Sequence, residues 1–217
     1  MKIGILVLAC VIFAVAAAAV FVRSRHECPN CRGAAPLAEA LAMPEWLREI
    51  EAENLGRVFA GDEEKLRFAI RLAEENVLRG TGGPFGAAIF SLAYERLIAV
   101  GVNRVVPAKQ SWAHAEMTAY AHAQNRLGSH DLKGCAIASS CEPCAMCTGA
   151  TPWSGVEKLI YGASGDAARG VGFDEGDKPA DWRGALEKRG VRVVGPLLED
   201  AAGTPFRLYR EKGGEIY

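Results

Sequence analysis

Excess charge of either sign is missing from this chain. Its 217 residues carry 25 basic and 26 acidic side chains, a formal net charge of -1, and no basic stripe runs along any segment. That absence excludes the electrostatic footprint of a protein that tracks a phosphate backbone. Long nucleic acid is therefore not the expected partner, while a single base or nucleoside remains open. Dense cysteine is missing too. Seven cysteines in 217 residues are too sparse for a disulfide scaffold. Only Cys28 with Cys31, and the row Cys141, Cys144 and Cys147, are clustered, a spacing that fits metal or redox chemistry. There is no internal repeat, and no low-complexity tract beyond one apolar run near the N-terminus. The length suits one catalytic-sized domain with an appendage, and two full domains would be cramped.

The apolar run, IGILVLACVIFAVAAAAVFV at residues 3–22, has the roughly 20 residues a helix needs to cross a bilayer. It predicts an uncleaved anchor over residues 1–23. A cleaved signal peptide is the rival reading, since Lys2 gives a basic start and AVAAAA supplies small residues for cleavage. Arg23, Arg25 and Arg32 follow the run, so positive-inside bias places the C-terminal part in the cytoplasm; a cleaved signal would export it. Residues 24–61 read as a tether and a short helix. Cys28 and Cys31 lack a second pair nearby to complete a structural zinc site and read as a juxtamembrane pair. Pro44 suits a helix start, and Trp46, Leu47, Ile50 and Leu55 recur at helical intervals. This helix is expected to pack on the domain or on the membrane surface.

From residue 62 to the C-terminus the pattern is that of one domain. Asp62 is placed to cap a helix whose stripe is Leu66, Ala69, Ile70, Ala73 and Val77, ended by Gly80. GGPFGAAIF and RLIAVGVN read as two strands with a turn near Tyr94 and Glu95. A helix fits AHAEMTAYAHAQNRL, stopped at Gly128, and GCAIASS reads as a buried strand. Another helix begins inside the cysteine row, VEKLIYG supplies a strand, and a Gly-rich loop spans 162–180. ADWRGALEKRG and VRVV give a last helix and strand. The alternation predicts a three-layer α/β/α sandwich around a mixed five-stranded sheet.

A hydrolytic zinc site needs three protein ligands, an open fourth position and a nearby carboxylate to carry protons. His114 and Glu116 stand two apart at a predicted helix start. Pro143 sets the start of a helix whose first turn holds Cys144 and Cys147, three apart and on one face. A helix N-terminus favours thiolate and hence metal ligation. His114, Cys144 and Cys147 then make a one-nitrogen, two-sulfur set, with Glu116 left over as proton carrier. The order H-x-E…P-C-x-x-C is a known signature of zinc deaminases. A redox protein built on C-x-x-C would have no use for His114-x-Glu116. A purely structural zinc site, as in a non-catalytic tethered binding protein, would prefer a fourth ligand to a spare glutamate.

Here the chain resembles the cytidine deaminase-like superfamily, from about residue 62 onward, and within it the guanine deaminase and tRNA adenosine deaminase branch. GGPFGAAIF, SSCEPCAMCTGA followed by Trp153, the loop AARGVGFDEGDKP and the tail TPFRLYREKGGEIY are closer to guanine deaminases. The resemblance implies a zinc-dependent hydrolytic deaminase of an aminated purine, guanine first. Alternatives are tRNA adenosine, cytosine or cytidine, or a pterin or triazine. It implies that Glu116 takes a proton from the attacking water and passes protons to the ring nitrogen and the departing ammonia. It further implies base contacts from Asn103, Ala115 and the flat walls Phe85 and Trp153. By the same resemblance, Asp174 and Glu175 lie in the loop where guanine deaminases place a carboxylate that reads the amino group and ring N–H of guanine. The same resemblance implies that Tyr217 closes the pocket of a neighbouring subunit, and hence a homodimer with exchanged tails. Cys135 reads as core and Cys141 as a packing neighbour of the site.

Overall fold

The computed structural model describes residues 42–217. The expected anchor, its signal-peptide rival, the tether and the Cys28/Cys31 pair lie outside the described residues. Among the described residues no helix is long and apolar enough to cross a membrane.

Five strands, β1 (Gly86–Ser91), β2 (Leu97–Val102), β3 (Cys135–Cys141), β4 (Lys158–Ala163) and β5 (Arg192–Val194), form one sheet in the order β2-β1-β3-β4-β5. β1 runs antiparallel to both β2 and β3, whereas β3, β4 and β5 are mutually parallel, so the expected mixed five-stranded sheet is present. Alternation along each strand feeds two cores. Ala88, Phe90, Val100, Ala138 and Ile160 face helices α1 (Glu45–Asn54) and α2 (Gly61–Leu78). Ala87, Ile89, Ala99, Ile137 and Leu159 face α4 (Ala115–Leu127). Between these helices in sequence lies the short α3 (Val105–Ala108). Helices on both faces make the predicted three layers.

The α2 stripe is buried as its spacing requires: Leu66, Ala69, Ile70, Ala73 and Val77 are all core residues. Full burial of one leucine contributes on the order of 2 kcal/mol. Asp62 does not cap this helix. The N-cap is Ala60, and the Glu64 carboxylate accepts its N–H at 2.7 Å; Asp62 instead pairs with Lys158 at 2.5 Å. The compact domain also reaches back before residue 62. Trp46, Leu47 and Ile50 of α1 join the core, while Leu55, one residue past the helix end, is exposed. Glu51 of α1 covers the outer edge of β2: one carboxylate oxygen accepts the Val100 N–H at 3.1 Å and the other meets Arg126. The Gly-rich loop contains α6 (Gly165–Val171), capped by Ser164. After α7 (Trp182–Glu187), two further helices, α8 (Glu199–Ala202) and α9 (Thr204–Glu211), pack on the α2 side through Ala202, Phe206 and Tyr209.

The topology collects the chemistry at one edge of the sheet. β2, β3 and β4 end there and antiparallel β1 begins there, which is where open α/β sheets bind ligands. Gly101 of β2 sets the seat of α4. A Cβ at that position would stand 2.3 Å from the Ala115 carbonyl oxygen. Only a residue without a side chain lets the first turn of α4 lie directly on the strand.

Candidate active site

Two helix N-termini converge at this edge. His114 is the N-cap of α4, and Cys144 is the N-cap of α5 (Ala145–Ser154). Neither side chain makes a capping hydrogen bond, so both are available to a common point. His114 Nδ1 and Cys144 Sγ are 3.4 Å apart. With Cys147 Sγ, one turn further along α5, the three ligand atoms lie within 4.8 Å of one another. Around a tetrahedral ion with Zn–S about 2.3 Å and Zn–N about 2.0 Å, such atoms sit roughly 3.5 to 3.8 Å apart, so the set fits zinc. Cys141 does not belong to it. Its Sγ points to the Ser164 carbonyl, 3.8 Å away.

The electrostatics favour metal ligation. A hydrogen bond from Cys147, and then the His114 ring, pull the Cys144 thiol down to about 4. The neighbouring Cys144, and then burial, push the Cys147 thiol well up. Two cysteines and one histidine at positive helix ends provide the anionic, soft donor set zinc prefers.

Glu116 lies beside the ligands, buried. Ser139 of β3 donates to its Oε1 at 3.0 Å, and the Cys147 thiol donates to its Oε2 at 3.4 Å. Burial, and then the Cys144 thiolate, raise its pKa above the usual carboxylate range.

These groups open onto a cavity of about 210 Å³, lined by Phe85, Asn103, His114, Ala115, Glu116, Glu142, Cys144, Phe173, Asp174, Glu175 and Tyr217. It is small against the ~300–1,000 Å³ of drug-sized pockets and suits one planar heterocycle. Phe85 and Phe173 form an aromatic wall, ring centroids 5.0 Å apart. Two polar atoms in the cavity are buried with no hydrogen-bond partner among the described residues, Glu175 Oε2 and Tyr217 Oη. Burial, and then the Cys144 and Glu116 charges, raise Glu175 to about 7, against a downward pull from Lys178. Buried polar atoms of this kind cost free energy unless a ligand meets them.

The sequence-predicted residues are therefore gathered with one exception. Trp153 is 76% exposed and carries the Arg189 guanidinium 4.8 Å over its ring. It stands nine residues beyond Cys144, two and a half helical turns, hence on the opposite face of α5. It is not a wall of this cavity. Phe173 occupies the aromatic position instead. The two loop acids also divide: Glu175 is buried in the cavity, whereas Asp174 is exposed and its Oδ1 accepts the Gly176 N–H at 2.8 Å. Tyr217 reaches the cavity of its own chain, its ring in edge contact with Phe173 and His114. Sequence reasoning missed Ser139, whose signal was a buried-strand pattern that ends in hydroxyls. It also missed the Glu142 ion pair with Lys178, which donates to the Pro143 carbonyl as well, at 2.9 Å, and so braces the Cys144 loop.

This geometry defines the class as a mixed-sheet α/β protein with a three-ligand, zinc-type hydrolytic centre and a proton-carrying carboxylate. Residues 60–163 match the cytidine and deoxycytidylate deaminase zinc-binding region. The chain is 41% identical over 124 residues to guanine deaminase of Bacillus subtilis strain 168, an alignment that takes in 54% of this chain and 78% of that one. A solved guanine deaminase from Nitrosomonas europaea superposes with a TM-score of 0.74 at 41% identity, covering 79% of this chain and 95% of the other. A further structure, determined with 2,6-diaminopurine, matches with a TM-score of 0.75 at 42% identity, covering 81% and 94%. The chain belongs to the cytidine and deoxycytidylate deaminase zinc-binding family.

Proposed function

We infer that the chain is a zinc-dependent hydrolase of C–N bonds that deaminates guanine to xanthine with release of ammonia. The observation that carries this reading is the cavity itself. A metal-type ligand set and a buried carboxylate face two unpartnered polar atoms across a space sized for one base. His114, Cys144 and Cys147 would hold the zinc, which when bound polarises a water for attack and neutralises developing charge. The residues supply the rest. Glu116, fixed by Ser139, accepts the proton of the attacking water and passes protons to the ring nitrogen and to the exocyclic amine, so a C–O bond forms as the C–N bond breaks. Phe85 and Phe173 hold the ring plane. Asn103 and the Ala115 backbone meet its polar edges, and Glu175 accepts from adjacent N–H donors, as a carboxylate does from two at once. Ammonia release from guanine, adenine, cytosine, guanosine and 2,6-diaminopurine tests base choice. Guanine should give the highest kcat/KM; preference for cytosine or for a nucleoside would overturn it.

We further propose a homodimer in which the tails are exchanged, Tyr217 closing a neighbour's cavity in the place it takes here within one chain. Support comes from the similarity of the tail segment to guanine deaminases. Co-expressing Glu116→Gln with a chain lacking Tyr217 checks this. Exchange pairs an intact Glu116 with an intact Tyr217 and restores activity above either variant alone; no gain contradicts it. Residues 3–22 are proposed to anchor the chain with the domain on the cytoplasmic side, on the strength of their apolar length and the arginines that follow. C-terminal reporter fusions read that orientation, and a signal on the far side would contradict it.

A further inference from the structure

A continuous hydrogen-bonded chain joins α1 to the cavity. The Trp46 indole N–H donates to Thr81 Oγ1 at 3.1 Å, and the Thr81 hydroxyl donates to Asn76 Oδ1 at 2.7 Å. Asn76 is fully buried and uses both amide hydrogens on main-chain carbonyls, Gly83 at 2.8 Å and Asn103 at 2.9 Å. Both of its amide hydrogens are used and its oxygen accepts from Thr81, so it has one orientation that satisfies every partner.

The two carbonyls belong to the segments that shape the cavity lip. Gly83 lies against the Asn103 carboxamide and the Tyr217 hydroxyl. A Cβ there would be 3.0 Å from Asn103 Oδ1 and 2.8 Å from Tyr217 Oη, and one at Gly82 would be 1.9 Å from the Asn103 carbonyl oxygen. The Asn103 N–H in turn donates to Phe85 at 3.0 Å. Contacts this close transmit displacement, because packed groups have no slack to absorb it. The Trp46 end is equally fixed, with the Arg79 guanidinium 5.4 Å over its ring. α1 precedes residue 60, where the family match begins. The β2 edge is covered by Glu51 of the same helix, a separate side chain.

We propose that Trp46, Thr81 and Asn76 are positioning residues for base recognition: they fix Asn103, and through it affinity for the base, without touching the base. This rests on the reading that Asn103 contacts a base. Thr81→Val keeps the side-chain shape and removes the hydroxyl at the centre of the relay. It should raise KM for guanine about five- to tenfold, as loss of one buried hydrogen bond does, with kcat within about twofold and zinc content unchanged. Thr81→Ser should restore wild-type KM. Trp46→Phe should raise KM in the same direction and add little on top of Thr81→Val, since both break one path. Hydrogen exchange at the Asn103 backbone amide should quicken in both variants. Wild-type KM with unchanged exchange would overturn the proposal, as would a fall in kcat or stability alone. If the wild-type chain turns over no base, the base reading fails and exchange decides the relay. Faster exchange at Asn103 in Thr81→Val upholds it, and an unchanged rate overturns it.

Discussion

Glu116→Gln lowers turnover about 10⁴-fold, the upper range for a positioned acid–base group, while the protein still carries about one zinc per chain. Glutamine has the same length and can still accept from Ser139, which holds Oε1 at 3.0 Å, so the cavity keeps its shape. What disappears is the capacity to take a proton and return it. Glu116 meets a side chain of the candidate metal set, Cys147, at 3.4 Å. Glu142, by contrast, is committed to Lys178. Because the loss is of proton transfer, kcat should fall with little change in KM. Retained turnover with retained zinc would remove Glu116 from the mechanism.

Cys147→Ser abolishes zinc binding and with it activity, whereas Cys141→Ser leaves both near wild type. A serine hydroxyl is a poor replacement for a thiolate on zinc, because it is harder and stays protonated at neutral pH. Cys147 is fully buried at the floor of the three-ligand set, and no other described cysteine, histidine or acid completes that set. Cys141 is equally buried but turns to the Ser164 carbonyl. Elemental analysis after dialysis separates them: about one zinc per chain for Cys141→Ser, and less than about one-tenth for Cys147→Ser. Equal zinc in both variants would break the assignment of ligands.

The zinc set was legible because each part is local. A histidine before a helix, and two cysteines one turn apart after a proline, declare their geometry by spacing alone. Gly80 and Gly128 likewise announce helix ends, and both have positive φ. Trp153 misled because its place in a motif said nothing about helical phase, and nine residues from Cys144 turn it outward. Asp62 misled because the chain offers three acids near one helix start, and the ion pair with Lys158, 96 residues away, claims the first. Asn76 left no such mark, and the hydroxyls that end the β3 pattern do not say which partner Ser139 meets. The bonds that tie them to the cavity, Asn76 to Asn103 and Ser139 to Glu116, span 27 and 23 residues, so those roles exist only once the sheet has formed. The closing tail helix carried a readable mark, Pro205 in its first turn.

We propose that this chain hydrolyses guanine at a zinc site built from His114, Cys144 and Cys147. The most direct test strips the purified protein of metal, returns zinc in steps and follows xanthine and ammonia formation from guanine. Activity should rise in proportion to bound zinc and level off at about one zinc per chain, with one ammonia released per xanthine. Guanine turnover that is the same before and after zinc is restored, or no turnover at full zinc occupancy, would contradict it.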